Sequence, residues 1–557
     1  MIPLRFVISH LRLKTLFIAC LFSLSGFVQA QHNSNSIPVF SVLDYGVNND
    51  GTTLNTERIQ QLIDRVAESG GGIIYFPPGK YLTGTLFLKS YINLHIESGA
   101  VILGSLDLND FIPTEKEKPE HAARHLRHLI YGKDLIGVAI TGRGMIEGRG
   151  YKFWPADFRK MTETEIRNAM TRPDGYNTRP GTYVHLQDCK NVLIENVHFK
   201  DSPFHMLKVL SSEDVVIQGI AIQQGMFEDD GPNTDGLAVS GFNIRISDCN
   251  FTTGDDCLVI GNAQHVSVSN CTFSTTESAI VLSGLRNGTI SNCSIYEAGG
   301  AINIRPGRGG RVENVTISNM NYILKRSQGG NLVFVRSKPE NDLRPSVISY
   351  SQKFNIEVKP DTGPPAVIRN IMISNIVANS DGAVFLDGVE DGYIEDITLD
   401  NIRYTMRGGL EKPESANPSH PFYVFGHHTA PYGIFCRYVR DITLRNIKFT
   451  WNQPESTEWG SPVRFENAEN IEIAGFRGRQ SLGSGKSVIK LTNVAGALIH
   501  ECQAVEQTST FLEVVGRSKD ILCMNNDLRK ATKSITISDE VNKDEVIESD
   551  NILQIKN

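Results

Sequence analysis

Three aspartates occur close together in the chain: Asp235 within Asn233-Thr234-Asp235-Gly236, and Asp255 with Asp256 within Gly254-Asp255-Asp256-Cys257. Neighbouring carboxyl groups can divide acid and base roles, because their mutual repulsion raises the pKa of at least one of them. Clustered carboxylates also bind hard cations such as calcium. Aspartate beside glycine is in addition a common turn sequence. The elements that position the aspartates must therefore decide between these interpretations.

A short phrase repeats from about residue 90: an apolar residue, any residue, Asn or Asp, then an apolar residue or Cys. Copies begin at Ile194, Ile246, Val268, Ile290, Val312, Ile368, Ile394 and Val439, with a further copy at Ile217 and weaker ones near Ile473, Ile499 and Cys523. Short strands separated by turns at a period of 22 residues, as from Ile246 to Val312, predict an all-β right-handed parallel β-helix. An amphipathic pattern over 53–69 predicts a helix that caps the N-terminal end of this solenoid.

Coils of a β-helix stack at ~4.8 Å, so residues at the same phase of the repeat form a column. The candidates for one column are Asp235, Asp256, Ser278, Asn303 and Arg305, which lie 11, 12, 12, nine and seven residues before the next repeat anchor. Stacked carboxylates repel when ionised, which a purely structural ladder would avoid. The spacing therefore favours the paired acid–base chemistry of glycosidic hydrolysis, with a calcium site as the main alternative.

Repeated Asn and Asp are expected to stack as turn residues. The cysteines follow the same logic, because Cys249, Cys271 and Cys293 are each 22 residues apart and each follows Asp or Asn. We expect them to form a buried stack rather than disulfides, and no cysteine spacing resembles a zinc site.

The first 30 residues have the pattern of an export signal. Arg5, Arg12 and Lys14 precede an apolar run over 16–28, and Val28-Gln29-Ala30 forms a small-residue cleavage site before Gln31. The run is too short for a membrane span, and a lipoprotein cleaved before Cys20 is the competing interpretation. We therefore expect a signal peptide over 1–30, one catalytic β-helix domain over 31–557, and a secreted or periplasmic protein.

The chain is acidic. Its formal net charge of −7 becomes −10 once the three leader cations are removed, which argues against nucleic acid as a partner. A local basic patch in an acidic protein is compatible with an anionic sugar polymer as substrate. We expect a monomer. Three intervals longer than the repeat, 140–194, 312–368 and 394–439, predict loops that wall a groove.

Further motifs accompany the aspartates. They are Asp44-Tyr45-Gly46, the run from Phe76 to Tyr81, Asp201-Ser202-Pro203-Phe204 and Ala430-Pro431-Tyr432-Gly433. Together they resemble glycoside hydrolase family 28, the polygalacturonase and rhamnogalacturonan hydrolase family, in a divergent bacterial form. The resemblance covers most of the chain after the leader.

The resemblance implies inverting hydrolysis of α-linked uronides on a parallel β-helix, without a cofactor or metal. By position, Asp255 would be the general acid, and Asp235 with Asp256 would activate water. The residues expected to bind substrate are Asn233, Ser278, Asn303, Arg305, Arg308, His205 and Lys208.

Two motifs depart from the family pattern. Polygalacturonases carry Gly-His-Gly on the coil after the paired aspartates, where this chain has Glu277-Ser278-Ala279. They then carry Arg-Ile-Lys, where this chain has Asn303-Ile304-Arg305. Arg305 retains a fork that can bind a carboxylate. These departures predict a relative with an altered substrate site. A polysaccharide lyase or epimerase, and a non-catalytic glycan-binding β-helix, are the alternatives.

Overall fold

The computed structural model describes residues 37–114, 126–156, 161, 163–171, 177–224, 231–275, 277–323, 331–336, 364–380, 384–407, 432–452, 457 and 459–553. The expected signal peptide, its cleavage site and Cys20 lie outside these ranges, as do Ala430 and Pro431 of the last motif. Of the three long intervals, the first is mostly described, whereas 324–330 and 337–363 of the second and 408–431 of the third lie outside.

The described residues form 36 strands and two α-helices, α1 (Thr56–Glu68) and α2 (Glu163–Ala169). The first twelve strands are β1 (Val39–Ser41), β2 (Gly72–Phe76), β3 (Gly79–Thr83), β4 (Leu86–Phe87), β5 (Ile92–Ile96), β6 (Ala100–Gly104), β7 (Ile130–Lys133), β8 (Ile136–Gly142), β9 (Met145–Glu147), β10 (Val184–Gln187), β11 (Lys190–Glu195) and β12 (His198–Lys200). The next twelve are β13 (Leu207–Gln218), β14 (Ala221–Gln223), β15 (Leu237–Ser247), β16 (Asn250–Thr253), β17 (Leu258–Ser269), β18 (Thr272–Thr275), β19 (Ser278–Leu282), β20 (Leu285–Ser291), β21 (Ser294–Tyr296), β22 (Gly300–Ile304), β23 (Arg311–Ile323) and β24 (Asn331–Arg336). The last twelve are β25 (Val367–Ser380), β26 (Val384–Asp387), β27 (Ile394–Arg407), β28 (Ile434–Asn452), β29 (Val463–Ala474), β30 (Arg477–Gly478), β31 (Ser487–His500), β32 (Gln503–Ala504), β33 (Thr508–Val515), β34 (Lys519–Met524), β35 (Ala531–Ile537) and β36 (Val546–Ser549).

Strands pair in parallel with strands of the next coil. Strand β13 pairs with β15, and β15 pairs with β17, each in parallel register. Strand β17 in turn pairs with both β19 and β20, because the coil that follows is divided at Ser283 and Gly284. The expected right-handed parallel β-helix is confirmed.

The core is a set of apolar stacks along the solenoid axis. Ile246 pairs with Val268, Val268 with Ile290, and Ile290 with Ile317, and all four are buried. Each such side chain contributes about 1.5–3 kcal/mol through removal from water. The rings of Phe251 and Phe273 stack on neighbouring coils with centroids 5.2 Å apart.

Helix α1 caps the N-terminal end, as predicted. It buries Ile59, Leu62, Ile63 and Val66, which fall on one face at helical spacing. This face packs against β2, β4 and β5, so the first coils do not expose their apolar interior.

Asparagines occupy left-handed turns and bond to one another along the axis. One ladder runs through Asn292, Asn319, Asn375 and Asn401, with amide-to-oxygen distances of 3.1, 3.0 and 2.7 Å. Their φ angles lie between 53° and 57°, a region that asparagine tolerates better than most residues. The structural role predicted for these side chains is confirmed.

The register corrects one prediction about the repeat. Val312 was expected to follow Ile290 after one more coil of 22 residues, but it pairs with Leu285, and Ile290 pairs with Ile317. Asn314 therefore stacks on Asn287 rather than on Asn292. The coil after Ser278 is five residues longer than its predecessors because of the turn between β22 and β23, and two similar phrases per coil obscured this in the sequence.

The cysteines behave as expected. Cys249, Cys271 and Cys293 lie on successive coils: the Thr272 amide donates to the carbonyl of Cys249 and the Ser294 amide to that of Cys271. All eight cysteines of the described residues are buried free thiols. Among the described helices, none is long and apolar enough to cross a membrane.

Candidate active site

The predicted column exists, and it begins one coil earlier than the sequence indicated. The Met206 amide donates to the carbonyl of Asp235, Gly236 to that of Asp256, and Cys257 to that of Ser278, at 2.9–3.0 Å. Since each bond joins one coil to the next, His205, Asp235, Asp256 and Ser278 occupy equivalent places on four successive coils.

Local sequence fixes where Asp235 sits. Asn233 is in the left-handed region at a φ of 57°, which turns the chain immediately before the aspartate. Gly236 then passes so close to the next coil that an added Cβ would lie 2.5 Å from the carbonyl oxygen of Cys257. The Asp-Gly pair is therefore required by the close approach of two coils as well as by chemistry.

The three aspartates converge. One carboxylate oxygen from each of Asp235, Asp255 and Asp256 lies within 4.8 Å of the other two. Asp256 is buried, and the other two are half-buried. The site therefore combines Asp235, which lies just before β15, with Asp255 and Asp256, which lie just before β17 on the next coil.

The Asp256 carboxylate makes two contacts within the site. The Arg305 guanidinium donates to its Oδ2 at 3.0 Å, and the backbone amide of Ser278 donates to its Oδ1 at 3.1 Å. Both contacts are charge-assisted hydrogen bonds, which fix the orientation of the carboxylate. Arg305 thus lies in the site, although its register position is not the one predicted.

Asp255 is surrounded by negative charges. Burial and the negative charges of Asp235, Asp256 and Glu277 raise its pKa well above the usual range. Its Oδ1 accepts a hydrogen bond from the Asp256 amide at 2.9 Å. Hydroxyl groups of Thr253 and Thr275 donate to its backbone carbonyl and fix the turn. Asp255 is therefore the group best suited to hold a proton near neutral pH.

Asp235 is close to both negative and positive charges. Burial and the charge of Asp256 raise its pKa to about 7, while the positive charges of Lys208 and Arg305 oppose the rise. The His205 imidazole approaches it, with Nε2 3.1 Å from Oδ1. Asp235 can therefore accept a proton from water near neutral pH and release it again.

Ser278 and Asn303 extend the polar surface. Both are buried, and the Asn303 amide donates to the Ser278 hydroxyl at 3.4 Å. The Asn303 Oδ1 is also buried and finds no hydrogen-bond partner among the described residues. A buried amide oxygen without a donor is destabilising, and a substrate hydroxyl could supply the missing hydrogen bond.

The remaining expected substrate residues are placed less directly. Asn233 Oδ1 accepts a hydrogen bond from Arg179 at 3.2 Å, which gives it a structural role in this turn. Lys208 is half-buried on β13, and its positive charge opposes the rise in the pKa of Asp235. Arg308 is half-buried in the turn between β22 and β23, three residues after Arg305.

Sequence analysis did not assign Arg179 or Phe204 to the site, and Phe204 was named only within the Asp201-Ser202-Pro203-Phe204 motif. Arg179 and Phe204 contact the Asn233 turn and His205, respectively. Arg179 lies in a long interval without repeat phase, so nothing in the sequence marked it. Glu277 is half-buried, and its negative charge raises the pKa of Asp255.

The spacing of the three carboxylates is compatible with one hard cation in contact with each of them. Arg305 already neutralises Asp256, however, and one proton is expected to remain on Asp255. Together these leave little negative charge for a divalent ion. The electrostatics favour one carboxyl group that holds a proton, one that is paired with an arginine and one whose pKa lies near neutrality.

Comparison with known proteins agrees with the geometry. Residues 109–323 match the family model described as glycosyl hydrolases family 28. Residues 39–102 match the model described as rhamnogalacturonase A/epimerase, pectate lyase-like. The first match contains every residue of the site described above.

Similar proteins are known from plants and bacteria. The chain is 32% identical over 231 residues to a probable polygalacturonase of Vitis vinifera, which covers 40% of this chain and 43% of that protein. It is 28% identical over 254 residues to an exo-poly-alpha-D-galacturonosidase of Dickeya chrysanthemi, which covers 40% and 41%. The chain thus spans about two fifths of the length of these relatives.

A solved structure has the same fold. The family 28 exopolygalacturonase of Yersinia enterocolitica superposes with a TM-score of 0.56 at 18% identity, over 78% of each chain. At this identity the likeness concerns the β-helix itself.

Proposed function

We propose that the chain, whose residues 109–323 match glycosyl hydrolases family 28, cleaves α-glycosidic bonds in a pectic or related acidic polysaccharide or oligosaccharide. The observation that carries this proposal is the convergence of three carboxylates with different electrostatic environments. Glycosidic hydrolysis needs one carboxylic acid and at least one carboxylate at the same bond. The site meets that requirement without a cofactor.

Asp255 is the general acid in this proposal. Its raised pKa keeps a proton available, and it passes that proton to the glycosidic oxygen as the bond to the anomeric carbon breaks. The leaving sugar departs as a neutral alcohol. Asp255 is then an anion, and it regains a proton from solvent before the next cycle.

Asp235 and Asp256 activate the attacking water. The water oxygen bonds to the anomeric carbon, and its proton passes to Asp235, whose pKa of about 7 suits a base near neutral pH. Asp256, paired with Arg305, orients the same water. In a single displacement the water attacks from the face opposite the leaving group, so the anomeric configuration inverts.

The short separation of the three carboxylates favours retention of the anomeric configuration as an alternative outcome. The nearest oxygens of the three aspartates lie within 4.8 Å of one another, whereas the carboxyl groups of inverting glycosidases are typically about 6.5–9.5 Å apart and those of retaining enzymes about 5–5.5 Å. Proton NMR of the first product anomer distinguishes the two. Inversion supports water held by Asp235 and Asp256, and retention would instead require one of the aspartates to bond to the sugar.

Basic residues favour an acidic sugar beside the scissile bond. The Arg305 side chain is 26% exposed and Lys208 is half-buried, so both can contact a ligand bound beside the three aspartates. A uronate carboxylate bound by Arg305 would form two parallel hydrogen bonds if the fork is free to turn. The absence of a histidine at Ser278 favours a substrate other than plain homogalacturonan.

The test is the release of reducing ends from homogalacturonan, rhamnogalacturonan and oligogalacturonides, each with and without chelator. We expect hydrolysis of at least one substrate, no chelator effect, and loss of activity in Asp255→Asn and Asp256→Asn. An unsaturated product that absorbs in the ultraviolet would identify a lyase. Hydrolysis that survives both substitutions would refute the assignment.

The leader predicts that this activity is exported. Expression of the full chain in a bacterial host, followed by N-terminal sequencing of the periplasmic or secreted form, tests this expectation. A mature protein that begins at Gln31 would support signal-peptide cleavage, and one that begins at Cys20 would support a lipoprotein.

A further inference from the structure

A continuous series of contacts leads from a buried arginine to the proposed base. Arg179 is 3% exposed, and its Cζ lies 4.7 Å from the centroid of the Phe204 ring. The Phe204 ring stacks on the His205 imidazole with centroids 3.9 Å apart and planes 13° apart. The imidazole Nε2 in turn lies 3.1 Å from Asp235 Oδ1.

Arg179 is fixed at its other end by the turns around the site. Its Nη1 donates to the carbonyls of Pro203 and Pro232 at 2.8 and 2.7 Å, and its Nη2 donates to Asn233 Oδ1. These acceptors belong to the turns immediately before His205 and Asp235. One guanidinium therefore sets the relative position of the two turns that carry the histidine and the aspartate.

We propose that His205 is a positioning residue for Asp235, and that the Arg179–Phe204 stack holds its imidazole in place. This inference rests on the proposed function, because it assigns a role within the same site. His205 occupies the rung directly before Asp235 in the column, on the side opposite Asp256 and Ser278. From there it orients one carboxylate oxygen and leaves the other for water.

The planar stack explains why a histidine serves here. Stacking on Phe204 removes rotational freedom from the imidazole, so little entropy is lost when it bonds to Asp235. A positive charge on the imidazole also favours the carboxylate form of Asp235. The charge of Asp256 raises the pKa of Asp235, and those of Lys208 and Arg305 lower it. Asp255 also interacts with Asp235, and Glu277 acts on Asp255.

The first test compares His205→Ala with His205→Gln on the best substrate of the panel. Misplacement of a catalytic group costs on the order of 100-fold, so we expect kcat of His205→Ala to fall by about 10- to 100-fold, with KM changed by less than about threefold. The acid limb of its kcat/KM profile moves to higher pH, because Asp235 loses both a hydrogen-bond donor and a group that can carry positive charge. His205→Gln restores a donor without charge, so it recovers part of kcat and only part of the shift of the acid limb.

The second test addresses Arg179 through a double-mutant cycle with Arg179→Lys and His205→Gln. Arg179→Lys keeps the charge but loses the planar fork and the stack, and a milder loss of kcat is expected. If both residues act through the same imidazole, the double variant loses less than the product of the two single losses. Independent, multiplicative losses would show that Arg179 acts elsewhere.

Matched controls exist far along the chain. His500 on β31 pairs with Glu472, with Nε2 3.2 Å from Oε1, and Arg440 on β28 stacks over the Tyr393 ring at 5.0 Å. His500→Gln and Arg440→Lys should leave kcat and the pH profile unchanged. Circular dichroism and thermal melting of every variant separate loss of folding from loss of positioning.

Two results would overturn the proposal. One is a folded His205→Ala variant with unchanged kcat and pH profile, and the other is a rise of KM alone, which would assign His205 to substrate binding. An assay without substrate separates this inference from the proposed function. With ¹³Cε1-labelled histidine, the NMR signal that is lost in His205→Gln should titrate at lower pH in Asp235→Asn, whether or not the protein hydrolyses pectin. An unchanged titration would reject the pairing.

Discussion

Arg305 donates to Asp256 Oδ2 at 3.0 Å from two coils farther along the solenoid axis. Under the proposed function, the same guanidinium also binds a carboxylate of the substrate, so a uronate and Asp256 would compete for it. Substrate binding and the charge of the site would then be linked through one side chain.

Arg305→Lys should weaken the enzyme through loss of the two-pronged donor. Charge-assisted hydrogen bonds contribute roughly 1.5–3 kcal/mol, so kcat/KM on an acidic substrate should fall by about 10- to 100-fold. Steady-state kinetics check this. The exposed Arg286→Lys on β20 is the control and should behave as wild type, and equal effects of both substitutions would contradict the role of Arg305.

Asp255→Asn should remove the proton donor. We expect kcat on natural substrate to fall by about 100- to 10,000-fold, with recovery on aryl glycosides whose leaving group needs no proton. Asp248→Asn is a matched control, because Asn270 and Asn292 occupy the same left-handed turn on the next two coils. A uniform loss on both substrate types would show that Asp255 is not the acid.

Asp235→Asn should raise the free energy of unfolding at alkaline pH. The pKa of Asp235 is about 7 in the folded protein against 3.8 as its ordinary value, so the folded state binds its proton more tightly than the unfolded chain does. This contribution to stability is complete below about pH 4 and is lost as pH rises through 7. At pH 8 the variant should gain up to roughly 4 kcal/mol, and much less at pH 4. Chemical denaturation at both pH values measures the difference, and an equal gain at both would exclude this origin.

Gly236→Ala should destabilise the protein and reduce activity. Its Cβ would lie 2.5 Å from the Cys257 carbonyl oxygen and 3.1 Å from Thr253 Cγ2, so the two coils must separate. Such overpacking costs about 1–3 kcal/mol and displaces Asp235 from Asp256. Gly307→Ala is the control, because its Cβ would meet nothing within 4 Å. Melting temperature and kcat together report the effect, and equal melting temperatures for both variants would contradict it.

The sequence predicted the β-helix, its capping helix and the convergence of the aspartates, because each depends on a repeated local pattern. Period and phase determine which residues share a column, and Asp235, Asp256 and Ser278 followed this rule. The side-chain contacts of Asn233 and Arg305 did not follow from it, since they depend on the reach of a flexible side chain.

The contribution of Arg179 could not be predicted. It lies where the chain leaves the repeat, and its partners are the backbone carbonyls of two prolines and a ring that belong to other coils. Neither periodicity nor residue type indicates such contacts. The misassigned phase of Val312 has a related cause, because Asn-containing phrases occur twice in each coil and only the backbone register distinguishes them.

The unequal coils also bear on how such a protein can change during evolution. A coil of 22 residues is followed by one that is five residues longer, yet Ile246, Val268, Ile290 and Ile317 remain in one stack. Extra residues are taken up at a turn, and the strands on either side keep their partners. Gain or loss of turn residues can therefore remodel the turns beside the aspartates, and duplication of a whole coil can lengthen the solenoid. Both changes can leave the four rungs from His205 to Ser278 intact.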